Sequence, residues 1–208
     1  MSGCDCSIEF SSKDESKVLI TLLAINALMF VVEIVLGILS ESTALIADSM
    51  DMLADATVYG IGLYAVGKAA IVKIKAAHIS GLFQIVLGAA VAVDVIRRTI
   101  IGSEPESSLM IMVGIAALVA NLICLRLISK HRDGEVHMRA SWIFSKNDVI
   151  ANIGIIVGGA LVYLFDSRFP DLIIGLAISI LVIRGGIHII KDAASEAKSD
   201  KIGSQCTD

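Results

Sequence analysis

The chain has 208 residues, of which 56% are hydrophobic and 18% charged, with a formal net charge of −4 and a mean hydropathy of +0.82. Soluble domains run at about 45–50% apolar and about 25% charged, so this is the composition of a membrane protein. The negative net charge excludes the basic surface a nucleic-acid binder needs, and four cysteines are too few for a secreted disulfide scaffold.

A hydrocarbon core about 30 Å thick takes about 20 residues per helix, so six spans use roughly 120–140 residues and leave only short loops and tails. Six apolar segments are present, from Val18 to Leu39, Thr43 to Gly67, Ala76 to Ile96, Leu109 to Ile128, Ala140 to Phe165 and Asp171 to Ile190. They are continuous Leu/Ile/Val/Ala runs rather than the ten-residue alternations of a barrel, which predicts an all-α, polytopic bundle of six transmembrane helices. The expected organisation is an N-terminal tail over 1–17, a membrane domain over 18–190 and a short C-terminal tail over 191–208. Asn26 and Glu33 interrupt the first segment, which is also too long for a cleavable signal.

Basic residues in short loops favour the cytoplasm. Lys13 and Lys17, then Lys68, Lys73 and Lys75, then Lys130, Arg132 and Arg139 fall on one side; Arg97 and Arg98 are the contrary signal. Both termini are therefore expected in the cytoplasm, and the chain in the cell membrane. In the N-terminal tail, Cys4, Asp5 and Cys6 form either a soft metal-capturing group or an incidental pair of reduced thiols. Cys124, inside a span, reads as a small buried hydrophobe.

The informative residues are acids inside the spans. The second span carries Asp48, Asp51 and Asp55. Each costs about 2.5–3.5 kcal/mol at the bilayer centre, against a gain of about 0.3–0.6 for each Leu or Ile, and helix packing requires no such residues. Asp51 and Asp55 lie four apart, on one face and about 6 Å apart along the axis, with Asp48 a further turn outward. In the fifth span Asp148 falls at similar depth, with Asn147 beside it and Asn152 one turn beyond. An all-oxygen metal site from Asp51, Asp55, Asp148, Asn152 and Asn147 is expected, unless Asp148 pairs with Lys146 or with a lipid-facing basic residue.

Six spans, the Asp-x-x-x-Asp of the second, the Ser-x-x-Ala-Leu-Ile-Ala-Asp stretch ending at Asp48, and an acid followed four later by Asn in the fifth resemble the cation diffusion facilitator, or cation efflux, family. The resemblance implies that Asp51, Asp55 and Asp148 are three of four intramembrane metal ligands. At the fourth position stands Phe144, so Asn147, Asn152 or a water substitutes. Only 18 residues follow Ile190, so a short, transmembrane-only variant is expected.

The remaining groups read more plainly. Asn26 and Glu33, seven apart, either hydrogen-bond a neighbouring helix or line the ion path. Asp94 is expected to pair with Arg97 or Arg98. His78, His131, His137 and His188 are assigned to solvent, and Gly154 with Gly158 to helix packing.

Carboxylates a few ångströms apart in a low-dielectric site cannot all stay charged, so an empty site holds protons that an arriving divalent cation displaces. The expected function is divalent-cation export by proton antiport, with alternating access implied by the resemblance. The alternatives are a passive channel or a non-transporting scaffold subunit. No enzyme activity and no cofactor are expected; the partners are the metal ion, protons, the lipid bilayer and a second copy of the chain. Oxygen ligands favour Mn²⁺ or Fe²⁺, whereas the family and the thiols favour Zn²⁺, Cd²⁺ or Co²⁺.

Overall fold

A computed structural model describes residues 5–65, 70–130 and 136–205, apart from the side chains at 5–15, 65, 70, 73, 76, 136–141, 143, 144, 196 and 198–205. Six helices follow one another: α1 (Asp5–Leu39), α2 (Thr43–Ala65), α3 (Ala70–Ile101), α4 (Ser107–Ser129), α5 (Val136–Phe165) and α6 (Phe169–Gln205). Five are long and apolar enough to cross a membrane, over Ser16–Leu39, Ala77–Ile101, Ser107–Ser129, Ser145–Phe165 and Phe169–Ser195. The remaining helix, α2, is as long as α4 at 23 residues but carries the three acids. The protein is a multi-pass, all-helical membrane bundle.

The position of α2 answers the cost of those acids. It packs against all five other helices, and no residue from Ser42 to Leu63 is exposed. The helices around it expose apolar side chains such as Leu28, Ile96, Val119, Ile153 and Ile173, as a lipid-facing surface requires. The core beside α2 is built from Ala44, Leu45 and Ala47 with Val91, Val95, Met110, Val113, Ile155, Leu172, Ile178 and Val182.

Several helices run past the ends expected from the sequence. Asp94 accepts from both Arg97 and Arg98, each at 2.6 Å. Both guanidinium groups are held by one acid within a turn of their own helix, and α3 continues to Ile101, past the expected Ile96. Arg98 is also largely buried and reaches the main-chain carbonyl of Glu41. At the other end of the chain α6 continues through 191–205.

The turn between α1 and α2 closes as a left-handed helix cap. Glu41 sits at φ +50°, and the Ser42 N–H returns to the carbonyl of Gly37 at 3.0 Å, the six-to-one bond of such a cap. Beyond it, the first turn of α2 is capped from α6. The buried Asp171 carboxylate accepts the N–H groups of Thr43 at 2.7 Å and Ala44 at 3.0 Å, and the Ser42 hydroxyl at 2.6 Å. An acid in the first turn of a helix commonly serves that helix's own N-terminus; Asp171 serves another helix.

α3 and α6 pack at backbone distance. A Cβ placed on Gly81 would stand 2.7 Å from the Gly186 carbonyl, and the Ser179 hydroxyl donates to the Gly88 carbonyl at 2.8 Å. Small residues admit such approaches where lipid supplies no hydrophobic drive. Gly158 serves α5 against α6 in the same way, its Cβ position lying 3.1 Å from Ile174. Replacing Gly186 by Leu is expected to cost about 1–3 kcal/mol by overpacking. Thermal unfolding in detergent measures it, and an unchanged midpoint would show that the contact is not tight.

Candidate metal site

Asp48 and Asp55 are almost completely buried, 0% and 2% exposed, while Asp51, between them in sequence, is only partly covered. On α5, Asp148 is 6% exposed and Asn152 0%. The two helices meet through their acids: the Asp148 carboxyl lies close enough to those of Asp51 and Asp55 to interact with both. Lys146 does not neutralise Asp148. It is exposed, and its ammonium lies over the ring of Trp142, 5.9 Å from the centroid.

Asn152 is set up as an oxygen donor. Its amide nitrogen donates to the Asp148 main-chain carbonyl at 2.7 Å, which leaves its Oδ1 buried without a hydrogen-bond partner. Asn147 is half-buried. The side chain of Phe144, at the position where the family pattern places a fourth ligand, lies outside the described residues. So do the side chains of Cys4, Cys6, Cys206, His131 and His137.

Below Asp55 the structure adds two residues that the sequence reading missed. The buried Tyr59 hydroxyl donates to Asp55 Oδ2 at 3.1 Å and stands 3.5 Å from Ser145 Oγ. Tyr59 also joins an apolar layer of Leu19, Leu22, Cys124 and Ile128. Its spacing of four from Asp55 was the available signal, obscured because an aromatic in an apolar helix reads as packing.

The third α2 acid turns toward α1. Glu33 is 0% exposed and faces Asp48 at hydrogen-bond separation. Neither carboxyl has a hydrogen-bond donor at any of its four oxygens. Asn26, one face with Glu33 in sequence, is buried as expected and donates to the Leu22 carbonyl at 2.9 Å. On α4, Asn121 is buried with both ends of its amide unpartnered. His78 Nδ1 donates to the Ile74 carbonyl of its own helix, 2.9 Å away, and His188 is exposed beside Asp192.

The carboxyls therefore meet in pairs, Asp51 with Asp148, Asp55 with Asp148 and Glu33 with Asp48. Among the described residues no group of three His, Cys, Asp or Glu side chains is already closed to the geometry that holds a metal ion. Two carboxyls at hydrogen-bond distance require a proton or a cation between them. The arrangement is thus a set of buried oxygens short of positive charge, grouped around one helix.

The fold is that of a polytopic helical membrane protein with several acids buried at its centre. The chain belongs to the cation efflux, or cation diffusion facilitator, family: residues 19–196 match its description, the cation efflux transmembrane domain. It is 26% identical over 202 residues to the zinc transporter ZitB of Yersinia pseudotuberculosis, covering 90% of this chain and 64% of that protein. To the cadmium, cobalt and zinc/H(+)-K(+) antiporter of Bacillus velezensis it is 26% identical over 189 residues, covering 84% and 60%. To the metal cation efflux system protein CzcD of Cupriavidus metallidurans it is 25% identical over 176 residues, covering 77% and 55%. The chain spans about three fifths of the length of the relatives it matches.

The facing of Glu33 and Asp48 makes a prediction. Glu33→Leu leaves Asp48 buried against an apolar group, a cost of about 1–3 kcal/mol, whereas Glu33→Gln supplies an N–H donor. In metal-free protein, Glu33→Gln should unfold at or above the wild-type temperature and Glu33→Leu below it. The reverse order would show that the two side chains do not face each other.

Proposed function

We propose that this protein moves divalent metal cations across a membrane in exchange for protons, through a site made by Asp51, Asp55 and Asp148 with the oxygen of Asn152. The contact of Asp148 with both α2 acids carries this reading, because it brings negative charge from two helices to one depth in the bilayer. When a cation reaches Asp148, small side-chain rotations draw Asp51 and Asp55 onto it. The proton that each carboxyl pair needs when empty then has no place. Cation binding and proton release are coupled by the same oxygens, with no separate proton site required.

The names of the relatives, zinc, cadmium and cobalt among them, support a cargo of this class. An oxygen-rich set with no described His or Cys ligand also accommodates a harder ion such as Mn²⁺. The distribution of Lys and Arg supports cytoplasmic termini in the cell membrane and hence export.

The experiment is uptake in reconstituted vesicles, one metal at a time. Vesicles loaded acidic should accumulate the cargo against its gradient while the lumen loses protons, and uptake indifferent to a protonophore would remove antiport. Asp51→Asn, Asp55→Asn and Asp148→Asn should each weaken metal binding by about 10–100-fold or more, since the loss even of an outer partner of a ligand costs that much.

The three acids act as a unit, so Asp55→Asn combined with Asp148→Asn should cost little more than either alone. Asp94→Asn should leave uptake close to wild type, because that acid belongs to a partly exposed ion pair of modest worth. Normal transport by Asp148→Asn together with failure of Asp48→Asn or Glu33→Gln would move the site onto α1 and α2.

A further inference from the structure

A site that depends on three acids of one helix depends on where that helix sits along its axis. An α-helix rises about 1.5 Å and turns about 100° per residue, so Asp48, Asp51 and Asp55 hang roughly 7.5, 12 and 18 Å from Thr43. A slip of one residue would rotate Asp51 and Asp55 away from Asp148. Lipid and apolar neighbours resist such a slip only weakly, since one aliphatic side chain replaces another. The height must be set by polar contacts, and those contacts are at the outer end of α2.

There the first N–H groups of α2 have no partner within their own helix. Two side chains meet three of them. Asp171 of α6 accepts from Thr43 with Oδ2, at 2.7 Å, and from Ala44 with Oδ1, at 3.0 Å. The Ser42 hydroxyl accepts from Leu45 at 3.2 Å while donating to Asp171 Oδ1 at 2.6 Å. A carboxylate that engages successive N–H groups with its two oxygens fixes rotation as well as height, and charge-assisted bonds are the stronger kind.

One turn along α6, Gly175 completes the cradle: a Cβ there would lie 2.8 Å from the Thr43 methyl and 3.1 Å from its carbonyl oxygen. The first residue of α2 thus sits between a carboxylate and a gap on one face of α6. The preceding turn is gripped as well, by Arg98 of α3 on the Glu41 carbonyl and by the Glu106 N–H on the Ser40 carbonyl at 2.9 Å.

We propose that Asp171 is a positioning residue for transport, holding α2 from α6 at the height and rotation that bring Asp51 and Asp55 to Asp148. The proposal rests on the reading that those three acids bind the cargo. It assigns Asp171 no contact with the metal.

The test uses the full chain in proteoliposomes, with folded protein quantified by size exclusion, and reads metal uptake against concentration together with amide hydrogen exchange over the 42–48 segment. In Asp171→Asn the amide NH₂ faces N–H donors, so exchange at Thr43 and Ala44 should speed up. KM for the metal should rise by about tenfold, while the maximal rate per folded molecule stays within about twofold. Ser42→Ala, a milder change, should shift both readouts in the same direction by less. Asp51→Asn should abolish saturable uptake without altering exchange over 42–48.

A lower yield of folded Asp171→Asn whose KM is that of the wild type would overturn the proposal and leave Asp171 a stabilising cap only. A raised KM with unchanged exchange would overturn it in the other direction, by showing that Asp171 meets the cargo itself. Absence of metal uptake by the wild type sinks the transport reading instead, and is seen before any variant is compared.

Discussion

Carboxyl groups are tolerated in hydrocarbon only when protein surrounds them, and that constraint organises the whole bundle. Three acids on α2 at about 2.5–3.5 kcal/mol each exclude that helix from the lipid face. It occupies the centre, in contact with each of the other five helices, and they supply the apolar exterior. The feature that lowers the apolarity of α2 below that of the other spans is therefore the one that fixes its place. In a soluble protein such a helix would turn its acids to water; here it has only its neighbours.

Burial removes the lipid but does not satisfy the oxygens. Glu33 and Asp48 have no donor at any carboxyl oxygen, and Asn152 keeps a free oxygen beside Asp148. A bundle built for stability alone would place Asn, Gln or Ser opposite each acid, or dispense with the acids. Other polar groups are met: Asp94 takes two arginines, Ser179 finds a carbonyl on α3, and Asp171 accepts three donors. Single neutral oxygens of Thr43, Gln84 and Ser103 are also buried without a partner, but Glu33 and Asp48 are the described acids that lack one at both oxygens, and a local violation of this kind marks function.

Much of this was legible in the sequence, for reasons that differ by residue. Helix count and class follow from the apolar runs. Asp51, Asp55 and Asp148 stand out because an acid in such a run has no packing explanation. Helix ends were less legible: the apolar run ends at Ile96, but the polar turn beyond it stays helical with Asp94 bonding both arginines where the sequence suggested one. The contacts of Glu33, Tyr59 and Asp171 were not legible at all. Each depends on which helix lies beside which, and a periodicity of 3.6 gives the face a residue occupies without naming the helix it meets. Asp171 was the hardest, because the first-turn acid of one helix and the cap of another are the same residue type at the same place.

The two polar assemblies on α2 divide its length between them. Its N-terminal end is held by Asp171, Gly175 and the gripped turn at Glu41. Its middle holds acids that meet in pairs. A ligand shifts a conformational equilibrium only through different contacts in the two states; under the proposed function, the carboxyl pairs are where those contacts would differ. With the N-terminal end of α2 fixed to α6, a change at those pairs would bear on α5, which carries Asp148 and packs beside α4. The capped end and the deficient centre are thus complementary. Under the proposed function, a firmly held α2 would let the charge of one ion act on the position of a second helix instead of being absorbed by a slip of the first.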